Sequence, residues 1–110
     1  MRFDPSWVES VIIKNHPRWR DVMDVTILLG SSSDLPIAQK CTKILEHFDV
    51  PYQLRVASAH RSPKFVEQIV GDAIDDGCSV FIAMAGLAAA LPGAVAALTT
   101  KPVIGVPCGG

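Results

Sequence analysis

The stretch Val25-Thr26-Ile27-Leu28-Leu29-Gly30-Ser31-Ser32-Ser33-Asp34-Leu35-Pro36 decides the architecture. Five apolar or β-branched residues in succession have strand length and no polar alternation, the pattern of a strand covered on both faces. One glycine and three serines break the run. Ser33 or Asp34 can then serve as N-cap of a helix, and Pro36 is tolerated in its first turn because its missing donor is not needed there. Ile37, Cys41, Ile44, Leu45 and Phe48 follow at spacings of three and four, which predicts one apolar helix face.

The same strand, loop and helix unit recurs. Asp49-Val50-Pro51 turns the chain, and residues 52–56 form a second strand that ends in Ala57. Ser62 and Pro63 start a helix whose buried face is Phe65 or Val66, Ile69, Val70, Ala73 and Ile74, and Asp75-Asp76-Gly77 stops it. Residues 80–83 form a third strand, a third helix runs to about Thr99, and Lys101-Pro102 introduces a fourth strand over residues 103–106. Strand alternating with helix demands right-handed crossovers and a parallel sheet. The predicted fold is therefore α/β: a three-layer, doubly wound (flavodoxin-like or Rossmann-like) parallel sheet with helices on both faces.

Composition agrees. The 110 residues make one domain, 49% of them apolar, with alanine, valine, isoleucine and leucine dominating and 6% aromatic. A net charge of −1 without a basic patch gives no electrostatic footing to a nucleic acid polymer or an anionic membrane. Cys41, Cys78 and Cys108 are odd in number and widely spaced, with neither zinc spacing nor a disulfide framework, so a reducing cytoplasm is expected. The tract over residues 80–98 nearly reaches membrane-spanning length, but Gly86, Pro92 and Gly93 divide it into strand, turn and helix. Residues 1–24 are expected to form an amino-terminal extension, with Asp4-Pro5 opening a short helix that carries Trp7, Val8, Val11 and Ile12 on one face and ends at Pro17. The α/β domain then occupies residues 25–110.

Three strand ends lie on one edge of such a sheet, where open α/β folds bind their ligands. The first carries Gly30, Ser31, Ser33 and Asp34: backbone donors, hydroxyls and a helix N-terminus for an anion, with a carboxylate suited to ribose hydroxyls. The second carries Ser58-Ala59-His60-Arg61, a hydroxyl, an imidazole and a guanidinium within four residues, suited to proton transfer and anion binding. At the third, Gly86 and Ala88, Ala89 and Ala90 leave backbone donors open to a planar ligand, ahead of Leu91-Pro92-Gly93. Any of these loops alone is an ordinary helix start. Their coincidence on one edge is what predicts a site.

Gly30-Ser31-Ser32-Ser33-Asp34, Ser58-Ala59-His60-Arg61-Ser62-Pro63 and Ala85-Gly86-Leu87-Ala88-Ala89-Ala90-Leu91-Pro92-Gly93 resemble, in order and spacing, the three motifs of the 5-(carboxyamino)imidazole ribonucleotide mutase family, the catalytic subunit of phosphoribosylaminoimidazole carboxylase in purine synthesis. Pro102-Val103-Ile104-Gly105-Val106-Pro107 extends the similarity, which covers about residues 24–107, and Arg61 is similar to the microbial mutase class. The resemblance implies that Ser31, Ser58 and Arg61 hold a 5′-phosphate, Asp34 the ribose hydroxyls, and Ser33 the transferring carboxylate. His60 would be the general acid/base. Gly30 and Ala59 would complete the contacts, and Gly86, Ala88, Ala89 and Leu91 would close over the imidazole ring through their backbone. It implies a small ribonucleotide substrate and carbon dioxide, no metal or organic cofactor, and a homo-oligomer, an octamer in the family.

The sequence departs from that pattern at Ala90, where the family usually has histidine, and at Cys108-Gly109-Gly110, beyond which the family continues with a further loop, strand and helix. A chain truncated at its carboxyl end is therefore expected. Two other readings compete with the mutase: direct carboxylation of aminoimidazole ribonucleotide, and a nucleotide-binding module of the same fold with impaired turnover.

Overall fold

The computed structural model describes the backbone of residues 11–15 and, with side chains, residues 24–59, 62–86 and 90–108. Five strands form one sheet: β1 (Val11–Asn15), β2 (Val25–Leu29), β3 (Tyr52–Val56), β4 (Val80–Ala85) and β5 (Val103–Pro107). Three helices connect the later strands: α1 (Leu35–His47), α2 (Pro63–Asp75) and α3 (Ala90–Ala96). The spatial order is β1-β3-β2-β4-β5, with β3, β2, β4 and β5 parallel and β1 antiparallel to β3.

This order follows from the chain. From β2 the chain steps one way to β3, then crosses back over β2 to β4 and continues to β5. Right-handed crossovers running in opposite directions place their helices on opposite faces. Accordingly α1 packs with Ile27, Leu29, Leu54 and Met84 on one face, whereas α2 and α3 pack with Leu28, Phe81, Ala83 and Ala85 on the other. All five side chains of β2 are buried, as its unalternating sequence requires. The doubly wound arrangement with helices on both faces is thus the observed one. The apolar tract over residues 80–98 is β4 and α3, and among the described residues no helix is long and apolar enough to cross a membrane.

Local chemistry sets the boundaries. Val66, Ile69, Val70 and Ala73 form the buried face of α2, and the helix stops before Gly77, whose φ of 91° lies in the left-handed region. Gly105 permits α3 to lie close on β5, since a Cβ there would stand 3.3 Å from the Pro92 ring.

Three expectations are corrected. Val11 and Ile12 belong to β1 rather than to a helix. Val11-Ile12-Ile13 is a β-branched run, and its pairing satisfies the outer edge of β3, which would otherwise present unpaired donors and acceptors. The remainder of the expected helix, from Asp4 through Val8, and the stop at Pro17 lie outside the described residues. Second, α1 buries Ala38 and Thr42, with Leu35, Cys41 and Leu45 packed against the sheet, while Ile37, Ile44 and Phe48 are exposed. Periodicity identified a stripe, but α1 meets β2 and β3 along a line rotated from it. Third, Asp34 occupies the N-cap position of α1 without a capping side-chain bond. Ser31 caps instead, accepting from the Ser33 amide at the start of a 3₁₀ turn over Ser32–Asp34.

Tyr52 gives the fold a measurable alkaline limit. Its ring is fully buried, and its hydroxyl donates to Glu46 Oε2 at 2.5 Å. Burial, then the neighbouring carboxylate, pushes the phenol up from 10.0 to about 12. The folded chain therefore keeps a proton that the unfolded chain releases first, so this stabilisation is full below pH 10 and is lost as pH rises through 12. We expect urea stability to fall by about 1–2 kcal/mol across that window. Tyr52→Phe should remove this component of the slope; an unchanged slope would contradict the assignment.

Candidate functional site

The reversal of strand order puts the switch point, where such sheets take ligands, at the carboxyl ends of β2 and β4. Backbone bonds join the four parallel strands there. Gly30 donates to the Met84 carbonyl at 2.9 Å, Ala57 to Leu29 at 2.8 Å, and Cys108 to Ala85 at 2.8 Å. The three predicted loops therefore leave the sheet side by side, from β3, β2 and β4, and the end of β5 joins them.

The loop after β2 is built around Ser31. Its Oγ accepts from the Ser33 amide at 3.2 Å and lies 2.9 Å from Ser33 Oγ, while its carbonyl accepts from the Asp34 amide at 3.1 Å. Ser31, Ser32 and Ser33 are exposed and Asp34 is half-buried at the start of α1. Gly30 sits behind them with room for a methyl, its nearest neighbours being 3.7 Å away. The loop thus presents hydroxyls to solvent ahead of a helix N-terminus, a geometry suited to an oxyanion.

Ser58 and Ala59 leave β3 half-buried, and the Ser62 amide donates to the Ser58 carbonyl at 2.9 Å. Ser62 in turn accepts from the amides of Phe65 and Val66, both at 3.1 Å, tying this segment to the first turn of α2. His60 and Arg61 fall between the two serines and lie outside the described residues, as do Ala88 and Ala89. Gly86 is half-buried at the end of β4. The Leu91 side chain is 2% exposed and packs in the core with Ala57 and Val95, so it is not available to a ligand.

Cys108 is a neighbour that sequence reasoning did not assign to the edge. It packs against the α1 face of the core, and burial followed by the Asp34 carboxylate pushes its thiol up. The signal was its position immediately after the fourth parallel strand. Cys41, Cys78 and Cys108 are all free thiols, and among the described residues no three His, Cys, Asp or Glu side chains gather as a metal site.

A four-stranded parallel sheet with helices on both faces, joined by an antiparallel edge strand, makes this a doubly wound, flavodoxin-like α/β protein. A family model for AIR carboxylase matches residues 24–110, and the chain belongs to that family. It is 59% identical over 83 residues to the N5-carboxyaminoimidazole ribonucleotide mutase of Methanocaldococcus jannaschii, covering 76% of this chain and 51% of that one. It is 58% identical over 83 residues to the "Probable N5-carboxyaminoimidazole ribonucleotide mutase" of Methanobrevibacter smithii, covering 76% and 24%. The phosphoribosylaminoimidazole carboxylase of Candida glabrata is 48% identical over 86 residues, covering 78% and 15%. The chain therefore spans about half the length of the first relative and less of the other two.

Proposed function

We propose that the chain carries the mutase site of purine biosynthesis, interconverting 5-carboxyaminoimidazole ribonucleotide and 4-carboxy-5-aminoimidazole ribonucleotide. The observation that carries this reading is the convergence of the loops after β3, β2 and β4 at the switch point, within a domain up to 59% identical to proteins named as that mutase. Ser31, Ser58 and Arg61 take the substrate 5′-phosphate, Arg61 through a charge-assisted fork. Asp34 accepts from the ribose hydroxyls, and Ser33 lies by the transferring carboxylate. Gly30, Ala59 and the main chain of Gly86, Ala88, Ala89 and Leu91 line the ring.

The chemistry needs one proton to be given and one taken. Protonation of the exocyclic nitrogen by His60 breaks its bond to the carboxylate carbon, releasing carbon dioxide and leaving the amine. C4 of the ring then forms a new bond to that carbon, and His60 removes the C4 proton to restore aromaticity. An imidazole suits both steps because its ordinary pKa lies near neutrality. The site must stay closed between the two steps, so that the carbon dioxide does not escape. The scheme asks for no metal or organic cofactor.

The finer statements belong to the same proposal. The protein acts in a reducing cytoplasm as a homo-oligomer, which would cover Ile44, Phe48 and Ile104, exposed at 59%, 68% and 51%. Residues 25–110 form the catalytic domain and residues 1–24 an extension that lends β1 to its edge. A spectrophotometric assay of the interconversion, run with sedimentation on the same sample, tests this. Turnover by an assembled chain is expected. Binding of aminoimidazole ribonucleotide without turnover would replace the mutase with a binding module, bicarbonate-dependent carboxylation would identify the direct carboxylase, and a clean monomer would remove the oligomer.

A further inference from the structure

Arg55 is an unusual residue for an interior strand. On β3 it lies opposite Leu28 of β2 and Val11 of β1. Leu28 belongs to the face that α2 covers, so the Arg55 side chain enters the layer between β3 and α2. There its Cζ stands 5.7 Å from the centroid of the Phe65 ring. Asp72 follows Phe65 by seven residues, two turns along the same helix face. Burial pushes the Arg55 pKa down, and the charge of the exposed Asp72 carboxylate only partly offsets it. The buried Nε has no hydrogen-bond partner among the described residues.

A half-buried cation with an unsatisfied buried Nε is a poor way to hold a sheet and a helix together; a leucine would fill the space without that penalty. A planar guanidinium instead supplies direction. Its Cζ lies over the Phe65 ring, a contact that ties the first turn of α2 to β3. Phe65 lies in the first turn of α2. Its amide binds the Ser62 carbonyl, and the Ser62 amide binds that of Ser58, the two serines that bracket His60 and Arg61.

We propose that Arg55 is a positioning residue: stacked on Phe65, it fixes the first turn of α2 and, through Ser62, the orientation of the His60-Arg61 segment. Its consequence for turnover rests on the acid/base role given to His60. Its structural part does not.

The test compares Arg55→Met, which keeps the stem and loses the plane and charge, with Arg55→Lys, Phe65→Leu and the Arg55→Met/Phe65→Leu double variant. Mutase rates are measured per folded molecule. In parallel, the His60 ring signal is followed by NMR with histidine labelled at Cε1 and assigned by its loss in His60→Asn. Small misplacements of a reacting group cost up to about a hundredfold, so kcat should fall by about 10- to 100-fold in either single variant while KM moves less. The double variant should be no worse than the poorer single one, because both remove one contact, and Lys should restore part of the rate. The His60 signal should shift in Arg55→Met and Phe65→Leu while that of His47 stays in place. Full activity with an unmoved His60 signal would overturn the proposal, and so would independent, multiplying losses. A wild-type chain without turnover whose His60 signal still moves in both variants would support the positioning role while removing the proposed function.

Discussion

Replacing His60 with asparagine is expected to lower the rate of carboxyaminoimidazole ribonucleotide interconversion by about 10²–10⁴-fold, the usual weight of a positioned general acid/base. Asparagine keeps the size and a hydrogen-bonding end but cannot carry a proton between two sites. Because one imidazole serves both proton transfers, no second group takes over either step. Substrate binding should persist, since the phosphate and ribose contacts are assigned to Ser31, Ser58, Arg61 and Asp34. Kinetics and calorimetric titration on the same preparation separate the two: binding retained with turnover lost is the expected pair. Equal turnover in the variant and the parent would withdraw His60 from the chemistry.

Phe81→Ala should be the most damaging single change to the fold. Phe81 is fully buried on β4, beside Thr26 of β2 and Val103 of β5, in the cluster shared by α2 and α3. Truncating a buried phenylalanine costs about 3–5 kcal/mol through lost transfer energy and the cavity left behind. A domain of this size holds only about 5–15 kcal/mol in total, so much of its stability would go. Urea unfolding should show the loss as a lower midpoint with little change in slope. Ile44→Ala is the counterpart on the exposed side of α1, and there the change should stay within about 0.5 kcal/mol in an unassembled chain. A Phe81 variant as stable as its parent would contradict the packing described here.

Much of the fold, and the sheet edge at which the candidate site is proposed, was legible in the sequence, for a physical reason. Strands β2 and β3 occupy residues 25–29 and 52–56 as predicted; β2 was legible as an unbroken apolar or β-branched run, the mark of a strand covered on both faces, whereas β3 carries Gln53 and Arg55 between its apolar residues. The site loops were legible because anion cradles and helix starts draw on the same few residue types at the same place. Leu91 was visible as part of the loop motif, yet its side chain serves the core. The ligand roles of His60 and Arg61 came from residue chemistry and family resemblance.

The sequence by itself determined the alternation of strand and helix, the handedness of the crossovers and hence the edge where the loops gather. Each of these follows from local preference and chain connectivity. Only the tertiary structure decided which neighbours those elements meet. Val11-Ile12-Ile13 became a strand because it suits extended backbone and pairing there covers the otherwise open edge of β3. The buried line of α1 was set by its contact with β2 and β3, not by its own periodicity. Arg55, an ordinary charged residue in the sequence, acquired its place over the Phe65 ring only when α2 folded back over β3. Burial and pairing depend on residues far apart in the chain, and no local pattern records them.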